Sequence, residues 1–315
     1  MNILFIADPL ASFKIYKDTT FAMMREAQKR GHQIFACEPH HLVWQSGQAV
    51  NAQVQQVHLT GARDTWFEEQ GVHADRALHS FDAVVMRKDP PFDSEYFYAT
   101  HLLEQAEREG AKVFNKPSAL RNHPEKLAIL EFAQFISPTL VTRDAQAIRA
   151  FHAVHRDIIL KPLDGMGGMG IFRVKDDALN LGAIIETLNH EGAQTVMVQK
   201  FLPAIAQGDK RVLVIGGKVV PYCLARIPQG GEVRGNLAAG GKGVAQAISA
   251  RDQEIAAAIG PVLAQRGLLL IGLDVIGENL TEINVTSPTC FQEIFDQTGC
   301  DVAALFIDAL EHAAA

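Results

Sequence analysis

From Ile158 to Gly170 the sequence reads Ile-Ile-Leu-Lys-Pro-Leu-Asp-Gly-Met-Gly-Gly-Met-Gly, an apolar strand pattern that delivers Lys161 into a glycine-dense loop. Without side chains, Gly165, Gly167 and Gly168 let backbone N–H groups come close to phosphate oxygens, and the lysine adds a point charge. The spacing Gly165-x-Gly167-x-x-Gly170 also matches the dinucleotide fingerprint, with Glu186 at a suitable distance for a ribose contact. That fingerprint requires a helix to start at the loop, whereas Ile171-Phe172-Arg173-Val174 alternates as a strand. A strand–loop–strand cover over a triphosphate fits better, and no Walker A motif is present. Taken alone, the loop would also serve as a tight hairpin.

A second group lies between Gly272 and Asn284. If Gly277-Glu278-Asn279 forms a three-residue turn with Asn279 at positive φ, Ile276 pairs with Leu280 and Asp274 falls opposite Glu282. Asn284 then shares the face of Glu282, while Leu273, Val275 and Ile283 point to the core. Facing carboxylates repel unless a cation joins them, and an all-oxygen set suits magnesium, or manganese in its place. The bland reading is a solvated polar strand face. The third group is basic: Asp209-Lys210-Arg211 opens a strand, Arg226 closes one, and Arg234 sits in Ile227–Gly243, which holds six glycines in seventeen residues. Arginine forks suit a phosphoryl group in transfer, and such a glycine-rich segment suits a lid. Charged strand ends and a plain loop are the alternative.

The elements that position these groups follow from periodicity. Residues 2–7 read as a buried strand, Asp18-Thr19-Thr20 as a helix start and Gly31 as its stop. Strands at Ile34–Cys37 and Phe81–Met86, a helix over Ser94–Glu109 and a strand at Lys112–Phe114 complete an α/β region with an expected parallel sheet. Within 40–80 only a hairpin at Ser46-Gly47 stands out. From about residue 120, glycine-punctuated strands alternate with short helices, which predicts an α+β region with antiparallel strands. There the expected elements are strands at Asp157–Lys161, Thr195–Gln199 and within Arg211–Ile227, helices over Asp177–His190 and Arg251–Arg266, and a strand pair in Leu268–Val285.

Composition narrows the classes. The chain has 315 residues, 48% of them hydrophobic and 21% charged, which is ordinary globular composition at a length for about two domains. The formal charge of −7 gives no broad basic footprint for nucleic acid or anionic lipid. No apolar run is long enough to span a membrane, and the apolar start lacks signal-peptide flanks, so a cytoplasmic protein is expected. Cys37, Cys223, Cys290 and Cys300 show no Cys-x-x-Cys spacing and read as reduced thiols. The histidines form no His-Glu-x-x-His metal motif.

Lys126, the Lys161 loop, Gln199-Lys200-Phe201-Leu202, Arg211 and Asp274 with Glu282-Ile283-Asn284 resemble ATP-grasp ligases. The strings Met86–Asp93, Lys161–Gly168, Leu224–Gly231, Arg234–Gly241 and Thr281–Thr289 resemble the bacterial glutathione synthetase family. The likeness is loosest near 40–80 and 180–196. It implies an N-terminal α/β domain over 1–120 and two ATP-grasp subdomains over 121–200 and 201–315, with ATP between the latter. It also implies that Lys126 and Lys161 meet the phosphates, residues 199–202 the adenine and Asp209 the ribose. Asp274, Glu282 and Asn284 would hold magnesium, while Arg211 and Arg226 steady the phosphoryl group. Arg87 and the Ser287-Pro288-Thr289 turn would serve the peptide. The implied reaction joins γ-glutamylcysteine to glycine with ATP, in a homotetramer. A D-alanine or other amino-acid ligase, a nucleotide-binding regulator and a dinucleotide-dependent dehydrogenase are the competing classes.

Overall fold

The computed structural model describes residues 1–315, the side chain of Ala238 excepted. The first region alternates β1 (Asn2–Ile6), α1 (Thr19–Lys29), β2 (Gln33–Cys37), β3 (Leu42–Val43), β4 (Asn51–Leu59), β5 (Phe67–Ala77), β6 (Ala83–Met86), α2 (Ser94–Arg108) and β7 (Val113–Phe114). Fully buried Ile3, Leu4, Phe5 and Ile6 place β1 at the centre, in parallel with β2 and β6. Asp18 caps α1 by accepting the Phe21 N–H at 2.8 Å, and Asp93 caps α2 at Tyr96.

The sheet order is β3-β4-β2-β1-β6-β7, with β5 on β4. It is therefore mixed, not wholly parallel: β4 runs antiparallel to β2, β3 and β5. The β3–β4 hairpin turns through Gly47 at φ +82°, as Ser46-Gly47 predicts. The long β4–β5 hairpin left no readable signal, because β5 is exposed along most of its length and carries little apolar alternation.

A short α3 (Pro117–Asn122) leads to the second region: β8 (Thr139–Thr142), α4 (Ala145–His155), β9 (Ile158–Pro162), β10 (Phe172–Val174), α5 (Leu181–Asn189) and β11 (Val196–Lys200). Its sheet, β10-β9-β11-β8, pairs antiparallel throughout and packs Ile158, Leu160 and Val198 against Ile148 and Ile185. Helix α5 starts at Leu181 and not at Asp177. Ala178 and Asn180 stand at φ +55° and +59°, which interrupts a right-handed helix.

The third region contains β12 (Asp209–Ile215), β13 (Lys218–Ile227), β14 (Lys242–Ala247), α6 (Ala250–Gln265), β15 (Leu270–Ile276), β16 (Asn279–Asn284), α7 (Phe291–Thr298) and α8 (Val302–Ala314). Its antiparallel sheet runs β14-β13-β12-β15-β16. Ser249 and Asp252 form a capping box on α6, and Asp252 also receives the Lys210 ammonium. The first and third regions are pinned together by Asn115, whose side chain donates to Leu270 O and Val285 O and accepts the Leu270 N–H.

Candidate active site

A cavity of about 450 Å³ lies between the second and third sheets and is closed on one side by loops of the first region. Every residue type expected to act on phosphate reaches it. Strand β9 brings in Lys161, which is 6% exposed and donates from Nζ to Thr281 O at 3.2 Å. Burial pushes its pKa down, and nearby Glu282 offsets part of that. Lys126 donates to Gly165 O at 2.6 Å and lies 3.3 Å from Glu282 Oε1. The glycine loop joins β9 to β10, with Phe172 opposite Leu160, so the strand–loop–strand reading holds. A Cβ on Gly168, at φ +86°, would fall 2.8 Å from Asn236 Oδ1. The loop thus touches the 228–241 segment, where Arg234 Nη1 lies 3.4 Å from Gly168 O.

Strand β11 ends in the 199–202 segment. Gln199 Nε2 donates to Thr139 Oγ1 at 3.1 Å, and the Lys200 and Phe201 N–H groups donate to Pro138 O and Asp157 O. The Leu202 N–H has no protein acceptor among the described residues. Arg173 lies over the Phe201 ring at 3.5 Å from its centroid, on an Asp157 ion pair.

Strand β12 carries the charged centre. Arg211 stands opposite Asp274 on β15 and grips it with two bonds, Nε to Oδ1 at 2.6 Å and Nη2 to Oδ2 at 3.1 Å. Gly272 makes room for that arginine, since a Cβ there would lie 2.7 Å from Arg211 Cδ. Arg226 on β13 reaches Asp274 Oδ2 at 2.9 Å and Asp209 Oδ2 at 2.5 Å. The two guanidiniums hold Asp274 well below the usual carboxylate range in spite of burial. Burial instead pushes Asp209 up to about 6, against the pull of Arg226, and its Oδ1 is buried without a partner.

Asp274 faces Glu282 across β15–β16, as expected, but the turn differs from the expected one. Ile276 pairs with Asn279 and Val275 with Leu280 around a two-residue turn in which Gly277, not Asn279, takes positive φ at +59°. A bulge at Thr281 then restores the Asp274–Glu282 pairing. Its carbonyl is the one that accepts from Lys161. Asn284 donates from Nδ2 to Gly272 O at 3.3 Å, so its carbonyl oxygen is left as a donor atom for a cation. Glu282 has a second oxygen with no protein partner among the described residues. This donor chemistry fits a hard divalent cation. Asp274, by contrast, has both oxygens on arginine.

From the first region come Arg87, 4% exposed, and Asp89, which accepts from Ser287 Oγ. Burial lowers the pKa of Arg87. Thr289 Oγ1 lies 3.7 Å from Cys290 Sγ beside the same cavity. Sequence reasoning missed Glu125. Its Oε1 accepts from Val285 N, Thr286 N and Thr286 Oγ1 at 2.9, 3.0 and 2.8 Å, and its carbonyl accepts the Ile283 N–H. Burial, with Glu282 nearby, pushes its pKa up. Glu125 braces the end of β16, and only its adjacency to Lys126 could have drawn notice.

Comparison with known proteins gives a consistent picture. Residues 1–121 match the prokaryotic glutathione synthetase N-terminal domain, and residues 125–299 the prokaryotic glutathione synthetase ATP-grasp domain. A glutathione synthetase of Ralstonia nicotianae is 62% identical over 314 residues, covering 100% of this chain and 96% of that protein. One from Neisseria meningitidis serogroup B is 57% identical, covering 98% of each. Among solved structures, the D-cycloserine synthetase DcsG superposes with a TM-score of 0.68 at 16% identity, covering 100% of both chains. The ATP-grasp ligase PsnB complexed with minimal precursor gives 0.64 at 20% identity, covering 99% of each. With both halves matched in order, the chain belongs to the prokaryotic glutathione synthetase family and has the ATP-grasp fold.

Proposed function

We propose that this cavity joins γ-glutamylcysteine to glycine at the expense of ATP, giving glutathione, ADP and phosphate. The observation that carries the reading is the convergence of Lys126, Lys161, Arg211 and Arg226 on one buried cavity that also holds Asp274, Glu282 and Asn284. A protein that merely binds nucleotide has no need of two buried arginines beside the phosphate lysines, and that argues against a regulator. The units over 1–120, 121–200 and 201–315 would each supply one wall.

A carboxylate is a poor electrophile near neutral pH. In the first step an oxygen of the cysteinyl carboxylate bonds to the γ-phosphorus of ATP, the bond to the bridging oxygen breaks, and ADP leaves. In the second, the neutral amine of glycine attacks the acyl carbon, phosphate departs with the former carboxylate oxygen, and the amine loses a proton. Lys126, Lys161 and the glycine loop at Gly165, Gly167 and Gly168 hold the phosphates. Gln199, Lys200, Phe201 and Leu202 line the adenine, with Asp209 at the ribose. Arg211 and Arg226 face charge that spreads over the phosphoryl oxygens, the largest stabilisation such a site offers. Arg234 and its segment close over the loop and exclude water, which would otherwise hydrolyse the acyl phosphate. Arg87, Ser287 and Thr289 hold the peptide.

Glu282 and Asn284, with Asp274 beside them, are the residues that would hold a divalent cation, magnesium or manganese, whose role when bound is to offset phosphate charge. Glu282→Gln tests the assignment. It should weaken Mn2+ uptake with a non-hydrolysable ATP analogue, read by electron paramagnetic resonance, and lower turnover by orders of magnitude while circular dichroism stays unchanged. Normal uptake and near-normal activity would remove Glu282 from the metal role. Of the described residues, no helix is long and apolar enough to cross a membrane. The family likeness supports a cytoplasmic homotetramer, which sedimentation would test.

A further inference from the structure

A second cleft, of about 620 Å³, lies between α1, the loop of the β4–β5 hairpin and α7. Its floor is aromatic. Trp66 stacks on Phe13 with ring centroids 5.7 Å apart and meets the edge of Phe21 at 5.2 Å, and Tyr16 stands exposed at the rim. Gln28 pins the hairpin loop to α1: its Nε2 donates to Leu59 O at 2.9 Å, and its Oε1 accepts the Leu59 N–H at 2.7 Å. The charge of the cleft is one-sided, with Arg25, Lys29 and Arg63 set against a single acid, Asp296. Lys29 is paired with Glu26 at 2.9 Å. Arg25 lies over the Phe21 ring, 5.4 Å from its centroid, and among the described residues neither Arg25 nor Arg63 has a carboxylate within ion-pair distance. Two guanidiniums beside an aromatic floor suit a small anion with a planar apolar body, because the forks take its oxygens and the rings take the rest.

This cleft and the active cavity share a wall. Along the 12–18 segment, Lys14 and Lys17 line the active cavity, whereas Ile15 and Tyr16 between them line the cleft. On α7, Glu293 belongs to the cavity, and Gln292 and Asp296 belong to the cleft. Gln292 ties the two elements together, its Nε2 donating to Ile15 O at 2.6 Å and to Asp18 O at 2.7 Å. An occupant resting on Tyr16 and Gln292 therefore bears on the back of the segment that carries Lys14 and Lys17. We propose that the cleft is an effector site for a small aromatic anion, held by Arg25 and Arg63, whose binding is coupled to that of the substrates through the 12–18 segment. The coupling is reciprocal: filling either site changes the affinity of the other by the same factor. The site stands apart from every residue assigned above to ATP, metal or peptide.

The chain has two tryptophans, so a full-length Trp44→Phe enzyme reports the cleft through Trp66 alone. Phenyl phosphate and benzoate, which carry both ring and charge, should change its fluorescence saturably. Benzyl alcohol, a ring without charge, and inorganic phosphate, a charge without a ring, should each bind about 10-fold more weakly or worse. Adding Arg25→Gln and Arg63→Gln, both exposed, should weaken phenyl phosphate by about 10-fold or more while circular dichroism stays unchanged. Filling the active cavity with a non-hydrolysable ATP analogue and γ-glutamylcysteine, with uptake of both checked by equilibrium dialysis, should shift the phenyl phosphate Kd by about 5-fold or more. A fluorescence change that never saturates, benzyl alcohol binding as well as phenyl phosphate, or full affinity in the arginine variant would overturn the site. Saturable binding whose Kd ignores a filled active cavity would overturn the effector role.

Discussion

Arg211 and Asp274 stand as register partners on β12 and β15, and the arginine closes on both carboxylate oxygens at 2.6 and 3.1 Å. Arg226 completes the arrangement from the next strand, so one buried anion sits between two buried cations. The two arginines are held in place on the protein's own carboxylate.

Asp274→Asn removes that anion, which leaves Arg211 without a counter-ion and Arg226 with Asp209 alone. Breaking a buried ion pair by losing one partner costs about 3–5 kcal/mol. Urea unfolding should show a loss of that size, with ATP analogue restoring part of it by supplying the missing negative charge. A loss below about 1 kcal/mol would mean that the arginines are held by other contacts.

Asp209 gives the site a pH signature. Its pKa is pushed up to about 6 in the folded protein by burial, from an unfolded value near ~4. An acid of this kind binds more protons folded than unfolded between the two values. Its contribution is therefore most favourable below about pH 4 and declines as pH rises through 6, by up to ~3 kcal/mol. Asp274 has the opposite sign: its depressed pKa gives stability above pH ~4 that is lost only in stronger acid. Unfolding free energies of wild type and Asp209→Asn, compared at pH 4.5 and 7, should differ in slope, with the wild type falling more on going to pH 7. Parallel slopes would show that Asp209 titrates normally.

The segment between Ile227 and Lys242 has only a short helical turn at Leu237–Ala239, and Gly230 and Gly231 have open space around them. Limited proteolysis of the ligand-free enzyme should cut here first, with protection on adding ATP analogue and γ-glutamylcysteine. Gly235 and Gly241 lie in close backbone contact, where a Cβ on Gly241 would fall 2.0 Å from Gly235 O, so the second half of the segment is closed on itself. First cleavage elsewhere, or no protection, would contradict a closing lid.

The sequence carried the site further than it carried the scaffold. Lys161, Arg211, Asp274 and Glu282 were legible because strand alternation and a tight turn place them, and these are local rules. The β15–β16 turn shows where local rules stop: a one-residue error in turn length was cancelled by the bulge at Thr281, which no propensity announces. Helix α5 is shorter than the expected Asp177–His190 because Ala178 and Asn180 stand at positive φ, which no local pattern announces. Strand β5 lacks an apolar face, so the β4–β5 hairpin could not be read as a pair although β4 buries Ala52, Val54, Val57 and Leu59. Glu125 escaped since its role, three donors on one oxygen, exists only once β16 is in place.

ADP release in the presence of magnesium and ATP, measured with γ-glutamylcysteine plus glycine, with each alone, and with D-alanine replacing glycine, decides whether this cavity makes glutathione. Release should need the dipeptide and glycine together, at one ADP per glutathione formed. Release with D-alanine or another amino acid but not glycine, or ATP binding with no release under any condition, would contradict it.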